Sequence, residues 1–184
     1  MNLSERDLVN YCKQNNAAAQ RQLYQEHIQG ILKLCLRYLD NKTDIEDIAQ
    51  HTFEKAFNKI STFQIKGEGS LRAWLHRIAI NECLMHIRKN KTFQLSFTDE
   101  EAWLEDKMDH SENDPEPVPA FELRQVLDCI RQLPDGYRTV LNLYVFDEMK
   151  HEEIAQTLGI SLNTSKSQLS RARKLLKQLL NSTL

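Results

Sequence analysis

A chain of 184 residues, 41% hydrophobic and 27% charged, has enough apolar surface to bury one large or two small cores, which excludes a disordered or fibrous protein. The formal net charge of −2 excludes a uniformly basic nucleic-acid binder. The charge is segregated, however: residues 1–92 carry fourteen Lys/Arg against ten Asp/Glu, and residues 99–116 carry nine Asp/Glu against one Lys, so local fields of both signs decide partners.

Ser4 is a capable N-cap for a helix to about residue 15, with Leu8, Val9 and Cys12 as its apolar stripe. Asn15–Asn16 breaks that pattern, and Ala17 to Leu39 resumes it with Leu23, Tyr24, Ile28, Ile31, Leu32, Cys35, Leu36 and Leu39. After a turn at Asp40–Asn41, Asp44 opens a helix to about Ile60, with Ile45, Ile48, Ala49, Phe53, Ala56, Phe57 and Ile60 inside. Its other face is acidic and polar: Asp44, Glu46, Asp47, Gln50 and Thr52. Acids near a helix N-terminus are favourable there in any case. Ser61–Ser70 reads as a loop holding Gly67 and Gly69, and glycine permits close backbone approach to a ligand.

Leu71 to Asn90 is predicted to be a long helix, with Leu71, Trp74, Leu75, Ile78 and Leu84 or Met85 facing the core. Arg77, Asn81 and Arg88 share one strip of it, flanked by Arg72 and His76. A solvated basic face gives the same pattern. Arginine also neutralises phosphates, and an asparagine amide offers a donor and an acceptor to a base. No segment alternates in the manner of a strand, so an all-α fold is expected.

Residues 92–120 hold three of the four prolines and most of the acidic excess, and read as an irregular acidic linker. Phe121–Leu133 is then a helix with Leu123, Val126, Leu127 and Ile130, Pro134–Gly136 a turn, and Tyr137–Phe146 a further helix. From about Lys150 to Leu158 a short helix carries Ile154, Ala155 and Leu158, and Gly159 suits the left-handed residue that closes it. Ser161 and Asn163 are both capable caps for the next helix, whose predicted buried stripe is Leu162, Leu169, Ala172, Leu176 and Leu179. Its opposite face holds Thr164, Ser167, Ser170, Arg171 and Lys174, with Lys166 at the edge. From Ser161 onward Lys166, Arg171, Arg173, Lys174 and Lys177 face no acidic residue. A short helix, a tight turn and a basic amphipathic helix make a helix-turn-helix, which lays its second helix in the major groove of DNA.

The stretch LPDGYRTVLNLYVFDEMKHEEIAQTLGISLNTSKSQLSRARKLL resembles the C-terminal DNA-binding domain of bacterial sigma factors of the extracytoplasmic-function group in the sigma-70 family. DIEDIAQHTFEKAFNKISTF, GEGSLRAWLHRIAIN and the basic end IRKNK resemble the N-terminal promoter-binding domain of the same group. The two matches lie in the family's order and cover most of the chain. Lys150 stands where the family usually has a capping Ser, and Ser165 where an apolar residue is usual, so some local weakening is expected. The loop before Leu71 is about two residues longer than the family pattern, and Met85 replaces a common acidic residue.

The resemblance implies three segments: a region 2-like domain over residues 1–91, the acidic linker over 92–120, and a region 4-like domain over 121–184. It implies that Thr164, Lys166, Ser167, Gln168, Ser170, Arg171 and Lys174, with Tyr144, meet the minus-thirty-five element. It places Phe63, Lys66, Ser70, Trp74, Arg77, Asn81 and Arg88 at the minus-ten element, where a base leaves the stack. It places Asp44, Glu46, Asp47, Gln50, Thr52 and Phe53 against polymerase. Core RNA polymerase and promoter DNA are the implied partners, and many members of the group are held by an anti-sigma protein. The implied role is to lend promoter recognition to a polymerase that does the chemistry, with no enzyme activity and no cofactor.

A self-sufficient helix-turn-helix regulator, dimeric and binding duplex DNA alone, is the alternative. A metal-dependent nuclease built on Asp44, Glu46, Asp47 and neighbouring histidines is a third reading, but no nucleophile–base constellation or metal cluster stands out. Cys12, Cys35, Cys83 and Cys129 show no paired spacing, so buried thiols in a reducing cytosol are expected rather than a zinc or redox motif. Cys83 and His86, with His76 nearby, make too sparse a set for a metal. The first residues lack the apolar run of a signal peptide and no stretch is long enough to span a membrane, so a cytoplasmic protein is expected.

Overall fold

The structure is a computed structural model that describes residues 3–89 and 123–182. The acidic linker expected at 92–120 lies outside the described residues, as does the beginning of the helix expected from Phe121. Among the described residues every regular element is helical, as the lack of alternating apolar positions predicts. The chain forms two compact units, Met1–Ile87 and Arg88–Leu184.

The first unit is built from α1, Glu5–Lys13, α2, Ala17–Tyr38, α3, Lys42–Lys59, and α4, Ser70–Lys89, as far as Ile87, with a 3₁₀ turn at Ile60–Thr62. Short polar side chains start the first three of these helices by accepting otherwise unpaired N–H groups. Ser4 Oγ accepts from Asp7 N–H at 3.2 Å, Asn16 Oδ1 from Ala19 N–H at 3.0 Å and Asn41 Oδ1 from Thr43 N–H at 2.9 Å. Because Asn41 is the cap, α3 opens two residues before Asp44, the start expected from the sequence.

Leu8, Val9 and Cys12 of α1, Leu23, Ile31 and Cys35 of α2, Ile48 and Ala56 of α3, and Leu71 and Leu75 of α4 fill the core. Tyr24 and Leu36, expected inside, face solvent, while Leu34 and Tyr38 are buried; of the alternatives Leu84 and Met85 on α4, Leu84 is the buried one. Apolar side chains run far around α2, so periodicity leaves open which arc meets its neighbours. One acid, Glu82, is drawn into this core and paired with Lys55 at 2.6 Å. The buried thiols of Cys35 and Cys83 lie 3.8 Å apart.

In the second unit α5 spans Leu123–Arg131, α6 Asp135–Leu141, α7 His151–Leu158 and α8 Leu162–Ser182. The single helix expected over Tyr137–Phe146 is instead α6 followed by a π-helical turn, Asn142–Phe146. Arg138 is buried and donates to the Arg131 carbonyl at 2.8 Å and to Asp135 Oδ1 at 2.6 Å, which ties α6 to the end of α5. Ile130, Leu133, Val140, Leu143, Ile154, Leu169 and Ala172 form the core. Among the described residues no helix is long and apolar enough to cross a membrane.

Candidate nucleic-acid interface

The turn between α7 and α8 is built as its sequence predicts. Gly159 sits at φ 70°, and its N–H and that of Ile160 both donate to the Ala155 carbonyl, at 2.9 and 3.0 Å. Of the two candidate caps for α8, Ser161 is used: its Oγ accepts from Thr164 N–H at 3.0 Å. Lys150 has no acceptor with which to cap α7. The Glu153 carboxylate reaches back instead and accepts from Lys150 N–H at 2.9 Å, which is half of a capping box. Ser165 is compensated as well: its buried hydroxyl lies 2.9 Å from His151 Nδ1.

The phase of α8 differs from the expected one by part of a turn. Thr164 and Gln168, assigned to DNA, are only 6% and 4% exposed. They share the buried stripe with Ser165, Leu169 and Ala172, because the first turns of α8 pack against α6 and α7. Leu162, expected inside, is exposed. The outward face is Asn163, Lys166, Ser170, Arg173, Lys174 and Lys177, with Ser167 and Arg171 at its margins. Lys166, Ser170 and Lys174 are therefore presented as expected, and Arg173 is a member that the sequence reading left out.

Tyr144 is exposed and stacks on His151, with ring centroids 4.7 Å apart and planes 28° from parallel. The Arg173 guanidinium carbon lies 5.5 Å from the centroid of the Tyr144 ring, within reach of a cation–π contact. Burial holds the His151 pKa below the ordinary histidine range, and Lys166 and Arg173 push it the same way against the opposing charge of Glu152. A neutral His151 adds no charge to a face that already carries four lysine and arginine side chains, Lys166, Arg173, Lys174 and Lys177.

On α4, Arg77, Asn81 and Arg88 are all exposed on one strip, with Met85 exposed between the last two. Lys66 is exposed on the preceding loop. Phe63 is not an exposed loop residue: it is buried and its ring lies 4.7 Å from that of Trp74. Ser70 is engaged, since its hydroxyl donates to Glu5 Oε1 at 3.1 Å and accepts from Lys66 N–H at 3.3 Å. Backbone donors at this end of the loop are engaged as well: Gly69 N–H and Leu71 N–H donate to the Glu5 carboxylate at 2.9 and 3.0 Å.

On α3, Glu46, Asp47 and Gln50 are exposed, while Asp44 is half-buried and 3.4 Å from His86 Nε2. Thr52 and Phe53 are withdrawn from any docking face. Thr52 is 0% exposed and donates to the Ile48 carbonyl at 2.8 Å, and Phe53 packs its ring 4.7 Å from that of Tyr24. Glu54, exposed and accepting from Gln50 at 2.9 Å, extends the acidic strip instead. Among the described residues no cluster of three or more His, Cys, Asp or Glu side chains is arranged to hold a metal ion.

Residues 23–93 match the family "Sigma-70 region 2", and residues 123–176 match "Sigma-70, region 4". The chain is 34% identical over 158 residues to the RNA polymerase sigma factor YlaC of Bacillus subtilis, a match spanning 85% of this chain and 88% of YlaC. It is 33% identical over 154 residues to the ECF RNA polymerase sigma factor SigW of the same organism, spanning 80% of this chain and 81% of SigW. In fold it is similar to the sigma factor RpoE of Bartonella quintana, solved with the anti-sigma factor NepR, at a TM-score of 0.52 and 23% identity over 88% of this chain and 96% of that one. With two sigma-70 regions in order and close relatives along most of its length, the chain belongs to the extracytoplasmic-function group of the sigma-70 family, the transcription initiation factors that direct RNA polymerase to promoters.

Proposed function

We propose that promoter recognition is divided between the two units, with the second reading the minus-thirty-five element through α8 and the first engaging the minus-ten element through α4 and the loop before it. The observation that carries this reading is the outward face of α8, where Lys166, Ser170, Arg173, Lys174 and Lys177 stand exposed behind a helix-turn-helix with no acid among them. Lysines at this spacing neutralise phosphates along a groove, and Arg171 and Ser170 are placed for base edges. On α4, Arg77 and Arg88 hold the strand while Asn81 meets a base.

The acidic strip Glu46–Asp47–Gln50–Glu54 on α3 is the polymerase-docking face and suits a basic partner surface. Reversing Asp47 to Lys lowers co-purification with core polymerase and leaves helicity unchanged. Catalysis belongs to the polymerase, and the site of action is the cytoplasm. An anti-sigma protein, of the kind found bound to the neighbouring RpoE, is the expected inhibitor.

The test is transcription in vitro with core polymerase and a randomised promoter library. Recovered promoters share two conserved elements, and α8 substitutions change only the upstream one. Specific duplex binding by the chain alone, with no stimulation of polymerase, refutes the reading in favour of a self-sufficient regulator.

A further inference from the structure

We propose that α1 fixes the shape of the Phe63–Ser70 loop from both ends, with Glu5 and Lys13 as positioning residues for the base that the loop holds. The inference rests on the assignment of that loop to the minus-ten element.

The loop needs an outside support. It carries no regular structure between the 3₁₀ turn and α4, and its last residue before the helix, Gly69, sits at φ 76°, a conformation that glycine adopts without strain. Gly69 stands at the cap position of α4, where Ala73 N–H donates to its carbonyl, and it has no side chain with which to cap. The cap comes from α1. Glu5 Oε2 accepts from Gly69 N–H at 2.9 Å, while Glu5 Oε1 accepts from Leu71 N–H at 3.0 Å and from the Ser70 hydroxyl at 3.1 Å. A carboxylate there also meets the positive end of the helix dipole. The Ser70 hydroxyl in turn accepts from Lys66 N–H at 3.3 Å, so the tie extends to the middle of the loop.

The opposite end of α1 holds the other end of the loop. Lys13 Nζ donates to the Phe63 carbonyl at 2.7 Å. Phe63 N–H is meanwhile bound to the Ile60 carbonyl at 3.1 Å, and its ring is held against Trp74. Between these anchors α1 is immobilised by Leu8, Val9 and Cys12, each buried in the core. Glu5 and Lys13 thus sit at the two ends of a single rigid rod, roughly 12 Å apart along its axis. The rod sets the separation of the loop ends, and with it the width available to a base. Both contacts are charge-assisted hydrogen bonds to backbone or hydroxyl groups, the kind that fixes geometry most firmly.

The experiment uses the full chain with core polymerase on a promoter selected from the randomised library, with a gel shift for closed complexes and permanganate reactivity for strand opening. Glu5→Ala and Lys13→Met are each expected to lower opening about tenfold at unchanged closed-complex binding, and to flatten the base preference at one minus-ten position. Lys13→Arg, which keeps a donor, restores most of the loss, and Glu5→Gln, which keeps the Oε1 acceptor but turns its NH2 toward Gly69 N–H, restores part of it. A template already mismatched at the minus-ten element removes it. Circular dichroism checks folding, and should Glu5→Ala fail to fold, Lys13→Met carries the test because Lys13 is a surface residue. If Asn81→Ala blocks opening while both α1 variants open DNA normally, the proposal is overturned and the minus-ten assignment stands. Normal opening by Asn81→Ala as well removes the assignment and the proposal together. Loss of closed-complex binding in step with opening, with no rescue by Gln or Arg, shows mere support of the fold and also overturns it.

Discussion

Lys55 and Glu82 join α3 to α4 across 2.6 Å, and their side chains are unequally exposed, at 43% and 10%. That inequality predicts an asymmetric response to substitution. Lys55→Met removes the ammonium and leaves a carboxylate nearly out of water. Breaking a buried pair in this way costs about 3–5 kcal/mol when no solvent reaches the remaining charge. Because Lys55 is exposed along part of its length, water can enter at its end, so about 2–3 kcal/mol is expected here. Glu82→Met instead frees an ammonium that swings into solvent while a methionine fills the vacated space, at a cost below about 1 kcal/mol. The double substitution should therefore be more stable than Lys55→Met alone. Urea unfolding followed by the fluorescence of Trp74, in a Trp103→Phe background, reads the first unit specifically, because Trp74 packs on Phe63 within it. The reasoning is refuted if Glu82→Met destabilises as much as Lys55→Met, or if the two losses simply add.

Further outcomes are open to measurement. Lys174→Ala should weaken holoenzyme binding to all promoters alike and lower the salt-dependence slope by about one, whereas Arg171→Ala should cost roughly 1–3 kcal/mol at one promoter position only; gel shifts over a salt series separate the two. All four cysteines are buried, so an aromatic disulfide reagent should find no reactive thiol until denaturant is added, and prompt labelling of the native chain contradicts the packing. His27 and His151 both have pKa values held below the ordinary 6.5, chiefly by burial. The folded state then takes up fewer protons than the unfolded one, so the stability these residues contribute is present above about pH 6.5 and is lost as pH falls through the depressed values. His151→Gln should make the second unit less sensitive to that fall, as read by thermal unfolding over a pH series.

Local signals served the sequence reading well where one residue decides one geometry. Gly159 closes α7 in the left-handed region, and Asn15–Asn16 separates α1 from α2 through an Asn16 cap. The helix-turn-helix was legible because its turn, its first-helix core residue Ile154 and its basic stretch are contiguous. The phase of α8 was not, since Leu162 and Leu169 are separated by six residues with no large apolar side chain among them. Over that gap neighbouring helices choose the buried arc, and they choose Thr164, Ser165 and Gln168. The partnership of His151 with Ser165 explains how a polar residue can occupy a position usually apolar, and it spans fourteen residues and two helices. Glu5 was invisible for the same reason on a larger scale: its partners Gly69, Ser70 and Leu71 lie more than sixty positions away. Burial of Thr52 shows the limit of helical-wheel reading on α3, where the polar and apolar arcs meet and its hydroxyl is satisfied by its own helix, whereas Phe53 is buried as the wheel predicts.

Each unit closes its own hydrophobic core, one around Leu23, Ile31 and Leu75 and the other around Val140, Leu143 and Ile154. This bears on how such a protein can diverge. Most substitutions on α8 are absorbed by one core and most on α4 by the other. With promoter reading divided between the units as proposed, duplicated genes can then drift in their preference for one element while the other is kept, and a new regulon can be reached by single steps without passing through an unfolded or unselective ancestor.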